Sequence, residues 1–274
     1  MSEQTAGFGL EFICALGLEP VRFVELAGKL GCRAIGLAPS PITGPLGSDP
    51  EWSLRGEPAR VATLKKALAD SGVRVSLGEG FIIMPDRDIA DTEADFDLMA
   101  ELGAERLNAC AMDPHPARNL DQFAVFATMA ADRGLPVTIE FMPHTPVPDL
   151  AAAITFVSDS GARNAGVLVD AMHLFCSGGT ADALRGVSEG MVTYAQLCDA
   201  KHDRFYDGYF QDARDERPLP GEGVLPLAQF LAALPAGCPI GIEAPMTARG
   251  KAGMRHEERF AAILTAAQAV TVTA

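Results

Sequence analysis

Acid and amide side chains close several short apolar runs in this chain, and their types set the chemistry available. Val137-Thr-Ile-Glu140 ends in a glutamate, and Val167-Leu-Val-Asp170 ends in an aspartate with His173 three residues on. Tyr194-Ala-Gln196-Leu-Cys-Asp199 carries an amide and an acid, Ile240-Gly-Ile-Glu243 a glutamate, and the earlier Ser76-Leu-Gly-Glu79 a further glutamate. One such acid is bland, since helix caps and solvated carboxylates look the same. Four acid or amide groups ending four consecutive runs are different, because an unpaired inward carboxylate costs several kcal/mol. A ring of Glu140, Asp170, Gln196 and Glu243 calls for a cation, with a purely structural polar network as the competing reading. If Gln196 binds through its carbonyl, the shell is all oxygen. Hard oxygen shells favour Mn²⁺ or Mg²⁺ over Zn²⁺, which prefers His and Cys.

Those runs need elements to position them. Short apolar stretches recur near Gly9–Cys14, Arg33–Leu37, Arg74–Phe81, Arg106–Ala111, Val137–Phe141, Gly166–Val169, Val192–Leu197 and Ile240–Ile242. Between them lie helical patterns: Pro58–Asp70, Glu93–Leu102, Leu120–Asp132 and Leu225–Leu234. Glycines at 31, 72, 103, 134 and 161 punctuate the predicted helix ends. Strict alternation predicts parallel strands joined by crossovers, and continuous apolar runs suit strands covered on both faces. A doubly wound open sheet shares that signature. Eight β/α units and the lack of a G-x-G-x-x-G after the first run favour closure. The fold expected is α/β, a single (β/α)₈ TIM barrel over residues 1–274. Asp199–Gly223 interrupts the rhythm, and an irregular stretch longer than about 12–15 residues is usually functional.

The chain has 274 residues, with 22 basic against 36 acidic side chains and a net charge of −14. That balance argues against a nucleic-acid partner, which needs clustered Lys and Arg, and against anionic lipid. No apolar stretch approaches the roughly 18 residues of a membrane helix, and Met1–Thr5 lacks a secretory signal's basic and apolar regions. A cytoplasmic protein is expected, with no nucleic acid and no membrane. The six cysteines are scattered, without C-x-x-C or zinc spacing, and read as packing residues.

Taken together, Ile-Glu140-Phe, Val-Asp170-Ala-Met-His173, Gln196-Leu-Cys-Asp199, Arg217-Pro-Leu-Pro-Gly-Glu-Gly and Ile-Glu243 resemble the sugar phosphate isomerase/epimerase superfamily, the xylose isomerase-like TIM barrels. The resemblance spans essentially the whole chain. It implies that Glu140, Asp170 and Glu243 are metal ligands, with Gln196 standing where the family usually has histidine. It implies a divalent-metal-dependent isomerase or epimerase acting on a sugar-like keto-polyol. There the ion holds carbonyl and hydroxyl oxygens and stabilises an enediolate, while Glu140 and Glu243 move the proton on opposite faces. His173 and Arg217 would steady the oxygen charge and bind substrate, with Glu79 and His202 as further substrate-side groups. His173 could instead merely hold Asp170, and Lys201 and His202 could be plain loop residues. A lyase on the same site, resembling dehydratases of dehydroshikimate or keto-inositol, is the alternative reaction. A homodimer paired through barrel helices is a further implication. An endonuclease for abasic DNA fits poorly with five histidines and the acidic charge.

Overall fold

Eight strands pair in chain order, each parallel to its neighbours, and the first returns to the last. They are β1 (Phe8–Leu10), β2 (Ala34–Leu37), β3 (Arg74–Ile83), β4 (Leu107–Ala111), β5 (Val137–Glu140), β6 (Ala165–Asp170), β7 (Val192–Leu197) and β8 (Ile240–Ile242). The computed structural model describes residues 7–42 and 51–272, so the Met1–Thr5 segment lies outside the described residues. Outside the strands run α1 (Pro20–Lys29), α2 (Pro58–Ser71), α3 (Glu93–Glu101), α4 (Pro116–Ala131) and α5 (Leu150–Ser160). After β6 come α6 (Ala171–Cys176) and α7 (Ala181–Arg185), after β7 come α8 (Tyr209–Asp215) and α9 (Leu227–Ala233), and after β8 come α10 (Thr247–Lys251) and α11 (His256–Val272). This is the (β/α)₈ barrel expected from the alternation. None of the described helices is long and apolar enough to cross a membrane.

Local sequence accounts for most boundaries. Proline opens α1, α2 and α4, where its missing N–H costs nothing. Gly72 and Gly161 close α2 and α5 in the left-handed conformation, at φ 62° and 67°. Behind β3, Phe81, Phe96 and Phe126 pack mutually with centroids 4.8–5.3 Å apart, fastening α3 and α4 to the barrel wall.

Two sequence expectations need correcting. The run Gly9–Cys14 is not one strand. β1 stops at Leu10, and Phe12–Ala15 coils into a 3₁₀ turn that ends at Leu16 with φ 51°. Every residue of that turn is buried, so burial keeps it apolar and periodicity does not separate it from the strand. The second concerns Asp199–Gly223, which is not structureless, because α8 lies inside it.

Register brings the strand-end acids together. Asp170 pairs beside Gln196 and Gln196 beside Gly241, so β6, β7 and β8 end level. Leu10 lies beside Ile242, and the Glu11 N–H donates to the Ile242 carbonyl at 3.0 Å, which places Glu11 level with Glu243. Deeper in the barrel, Leu77, Leu168 and Tyr194 form a small buried cluster, with the Arg106 guanidinium 5.5 Å from the Tyr194 ring centroid.

Candidate active site

A cavity of about 260 Å³ opens at the C-terminal ends of the strands, where barrels of this kind carry their chemistry. Glu79, Asn108, Glu140, His173, Arg217 and Glu243 line its polar part. Glu140, the last residue of β5, accepts a hydrogen bond from Asn108 Nδ2 at 2.8 Å, while its other oxygen lies 3.3 Å from His173 Nε2. Asn108 is itself oriented by Thr138, whose hydroxyl donates to Asn108 Oδ1 at 2.8 Å. Asp170 ends β6 and caps α6, accepting from the His173 backbone N–H at 2.9 Å. That single turn of helix delivers His173 over the strand ends, and the Tyr209 hydroxyl of α8 meets its Nδ1.

Arg217 is the buried cation of the site. Its Nη1 donates to Asp170 at 2.6 Å, and its Nε donates to the Ala213 carbonyl at 2.7 Å. Its Nη2 stands 2.8 Å from Glu243 Oε2, an ion pair whose angle is not that of a hydrogen bond. The Arg217 backbone N–H donates to the Pro245 carbonyl, so the long β7 loop is tied to the end of β8. These environments split the carboxyls. Burial pushes Asp170 up, but the Arg217 guanidinium and His173 outweigh it and hold Asp170 well below the usual carboxylate range. Burial pushes Glu243 well above that range, and Asp170 and Glu140 add to this against the pull of Arg217.

Glu140, Asp170 and His173 offer ligand atoms that all lie within 4.8 Å of one another, a group able to hold a metal ion. Gln196 is buried, and its Oε1 has no hydrogen-bond partner. A buried acceptor without a donor is uncommon, and a cation is one way to satisfy it. The donors present are therefore compatible with a divalent cation. Two features differ from the ligand set expected from sequence: His173 joins the close group, and Glu243 lies nearer Arg217 than that group.

Of the remaining candidates, Glu79 lines the cavity. His202 does not; it is exposed on the β7 loop with its ring against Tyr206, and Lys201 beside it pairs with Asp212 at 2.9 Å. Asp199 is fully engaged elsewhere. Its two oxygens accept from the N–H groups of Ala200, Gly221, Gly223 and Leu225 at 2.8–3.1 Å. The Pro220-Gly-Glu-Gly segment thus wraps the protein's own carboxylate. A Cβ on Gly223 would stand 2.2 Å from Asp199 Oδ1, which is why glycine sits there. Trp52 packs, donating from its indole to the Gly17 carbonyl and meeting Phe12 edge-on. All six cysteines are free, but Cys198 and Cys110 do more than pack. Cys198 Sγ lies 3.3 Å from both Asp170 oxygens, and Cys110 Sγ lies 3.5 Å from Glu140.

Glu11 is a site residue that the sequence does not single out. It is buried in the barrel, accepts from the Tyr194 hydroxyl at 2.8 Å, and faces Glu79. A Cβ on Gly36 would come within 2.2 Å of both Glu11 Oε2 and Glu79 Oε1, and one on Gly241 would overlap Glu11 Oε1. Glycines on β2 and β8 therefore clear space for two carboxyls. Burial raises the Glu11 carboxyl to about 7, and burial together with Glu11 raises Glu79 well above its ordinary value. A usable signal exists, because Leu10-Glu11-Phe12 repeats the Ile139-Glu140-Phe141 pattern at another strand end.

A family model described as xylose isomerase-like TIM barrel matches residues 24–262. The chain belongs to that family. Solved structures of the same fold include the IolI protein with a bound zinc atom, at 15% identity, TM-score 0.79 and coverage of 97% of this chain and 98% of that one. A probable 3-DHS dehydratase, AsbF, from Bacillus anthracis is 11% identical with TM-score 0.72, covering 96% and 98%. A D-psicose 3-epimerase solved in the presence of D-fructose is 15% identical with TM-score 0.69, covering 96% of this chain and 97% of that one. At these identities the likeness is one of fold. A sequence comparison with curated proteins gives no significant match. The family membership agrees with the resemblance carried by the strand-end residues.

Proposed function

We propose that this protein is a divalent-metal-dependent isomerase or epimerase acting on an α-hydroxy ketone of the keto-sugar or keto-polyol kind. The observation that carries the reading is the approach of Glu140, Asp170 and His173 to within 4.8 Å of one another, with Glu140, His173 and Glu243 lining one cavity and the buried Gln196 Oε1 left without a partner. Glu140, Asp170, Gln196 and Glu243, with His173 adjacent, would hold Mn²⁺ or Mg²⁺, which would supply Lewis acidity toward the substrate carbonyl.

The chain's own residues do the rest. Glu140, oriented by Asn108, takes the proton from the carbon beside the carbonyl. Glu243, whose carboxyl burial pushes well above the usual carboxylate range, returns one to carbon. His173 and Arg217 face the developing oxygen charge, and the Tyr209 hydroxyl holds the imidazole in place. Asp199 anchors the returning end of the β7 loop, whose Phe210, Ala213 and Arg217 line the cavity.

A second reading rests on Glu79. Burial and Glu11 push the Glu79 carboxyl well above its ordinary value beside the cavity. Once Glu140 has taken the proton next to the carbonyl, Glu79 can donate one to a departing β-hydroxyl, so that the C–O bond breaks, water leaves and a double bond forms. NMR in D₂O on the Mn²⁺-saturated protein with keto-sugars and cyclic keto-polyols separates the two. Deuterium entering at carbon without loss of water is expected. An unsaturated product would transfer the assignment to a lyase, and neither outcome with any ketone, after metal uptake is verified, would overturn both.

A further inference from the structure

The cavity is lined by residues of two chemical kinds. Its polar groups belong mainly to β5–β8 and the loop after β7, with Asn108 and Glu79 beside them. The rest of its wall comes from residues just beyond the earlier strands: Ile13 after β1, Ile42 after β2, Met112 after β4 and Met142 after β5, with Phe210 of α8 facing in. Ile82 of β3 continues the same wall. Large exposed apolar side chains are few among the described residues, namely Ile42, Val125, Phe210 and Val224. Two of those four, Ile42 at 43% and Phe210 at 46% exposure, stand at this cavity. Arg214 also lines it, but Asp215 binds its guanidinium at 2.7 and 2.8 Å, leaving its aliphatic stem as the surface on offer.

A linear polyol filling this cavity would press hydroxyls against Met, Ile and Phe, and each unpaired hydroxyl loses its water without replacement. From this division we infer that the substrate is amphiphilic: an oxygenated α-hydroxy-ketone head over β5–β8, carrying an apolar alkyl or aryl substituent against Ile13, Ile42, Met112, Met142 and Phe210. The inference builds on the function proposed above and adds the chemical class of the substrate's other end. Burying each methylene there is worth about fourfold in affinity.

The test uses the full chain with Mn²⁺ and a series of 1-hydroxy-2-alkanones from hydroxyacetone to 1-hydroxy-2-hexanone, with D-fructose as the hydroxylated counterpart of the longest. Saturation-transfer NMR reads binding with and without metal, and deuterium exchange beside the carbonyl reads chemistry. Binding that tightens about fourfold per methylene, with the hexanone ahead of D-fructose, is expected. Phe210→Ser, at a half-exposed position, should flatten that dependence on chain length. D-fructose binding more tightly than the hexanone, or no dependence on chain length, would overturn the amphiphilic substrate while leaving the proposed reaction standing. Chain-length-dependent binding without exchange of any ketone would support the apolar half and remove the reaction.

Discussion

Arg217 and Asp170, forty-seven residues apart in the chain, meet through a 2.6 Å hydrogen bond with the arginine 4% and the aspartate 0% exposed. The same guanidinium stands 2.8 Å from Glu243. A fixed positive charge therefore lies between two of the carboxylates proposed to hold a metal. Removing it should have opposite effects on metal binding and catalysis. Arg217→Ala should bind Mn²⁺ at least about tenfold more tightly, because like charges a few ångströms apart repel by several kcal/mol even at an effective dielectric near 20. It should also lower kcat/KM, since the group facing the substrate oxygens is gone. Calorimetric Mn²⁺ titration alongside steady-state kinetics checks both. Unchanged metal affinity would mean that Arg217 and the cation do not share these carboxylates.

The metal-free Arg217→Ala protein should also be less stable. Without the guanidinium, Asp170 and Glu243 are buried with no cation, a loss of roughly 3–5 kcal/mol. Saturating Mn²⁺ should restore much of it. Urea unfolding with EDTA and with Mn²⁺ gives the comparison, and equal losses in both would argue against the cation taking over the arginine's role.

Glu11 makes stability depend on pH in a definite direction. Its carboxyl titrates near 7 in the folded protein against an ordinary 4.5, so between these values the folded state holds a proton that the unfolded chain has released. That contribution is fully present below about 4.5 and is lost as the pH rises through about 7. Glu11→Gln should therefore show a shallower fall in unfolding free energy over this window, by at most about 1.4 kcal/mol per pH unit. Denaturation in EDTA at a series of pH values across the window measures it; parallel curves for the two proteins would rule the assignment out.

If Gln196 is a ligand, it should set the metal preference. An amide oxygen is a harder donor than an imidazole nitrogen and has no proton to lose near neutrality. The wild type should favour Mn²⁺ over Zn²⁺ more than Gln196→His does. It should hold metal to lower pH than the histidine variant, which gains a ligand that ordinarily protonates at about pH 6.5. If the wild type prefers Zn²⁺ as strongly as the variant, Gln196 is not a ligand.

Asp199→Ala should loosen the β7 loop. Four backbone N–H groups lose their acceptor, and each buried donor left unpaired costs about 1–3 kcal/mol unless water reaches it. Hydrogen exchange at Gly221 and Gly223 should accelerate and KM should rise, because Arg217 rides on the same loop. Retained protection at those amides would show that the loop is anchored by other contacts.

Local pattern alone makes much of this protein legible. Strand positions from β2 to β8 follow from apolar runs, because a strand covered on both faces must be apolar along its length. Glu140, Asp170, Gln196 and Glu243 stand out as breaks at the ends of those runs. Gly72 and Gly161 mark helix ends because only a residue without a Cβ adopts that conformation cheaply. Tertiary structure decides what these residues meet. Glu11 lies hidden because the 3₁₀ turn after β1 is as apolar as the strand, so the break falls inside the run. Asn108, Tyr194 and Tyr209 gain their roles from partners 32, 183 and 36 residues away. Asp199 has the type and position of a ligand beside Gln196, yet its oxygens turn to the loop that returns past it. The apolar lining of the cavity is scattered over Ile13, Ile42, Met112, Met142 and Phe210, each one apolar residue among many in sequence. Closure of the barrel brings the ends of β1 to β5 and the β7 loop around one space, and such convergence is a property of three-dimensional packing that no local window contains.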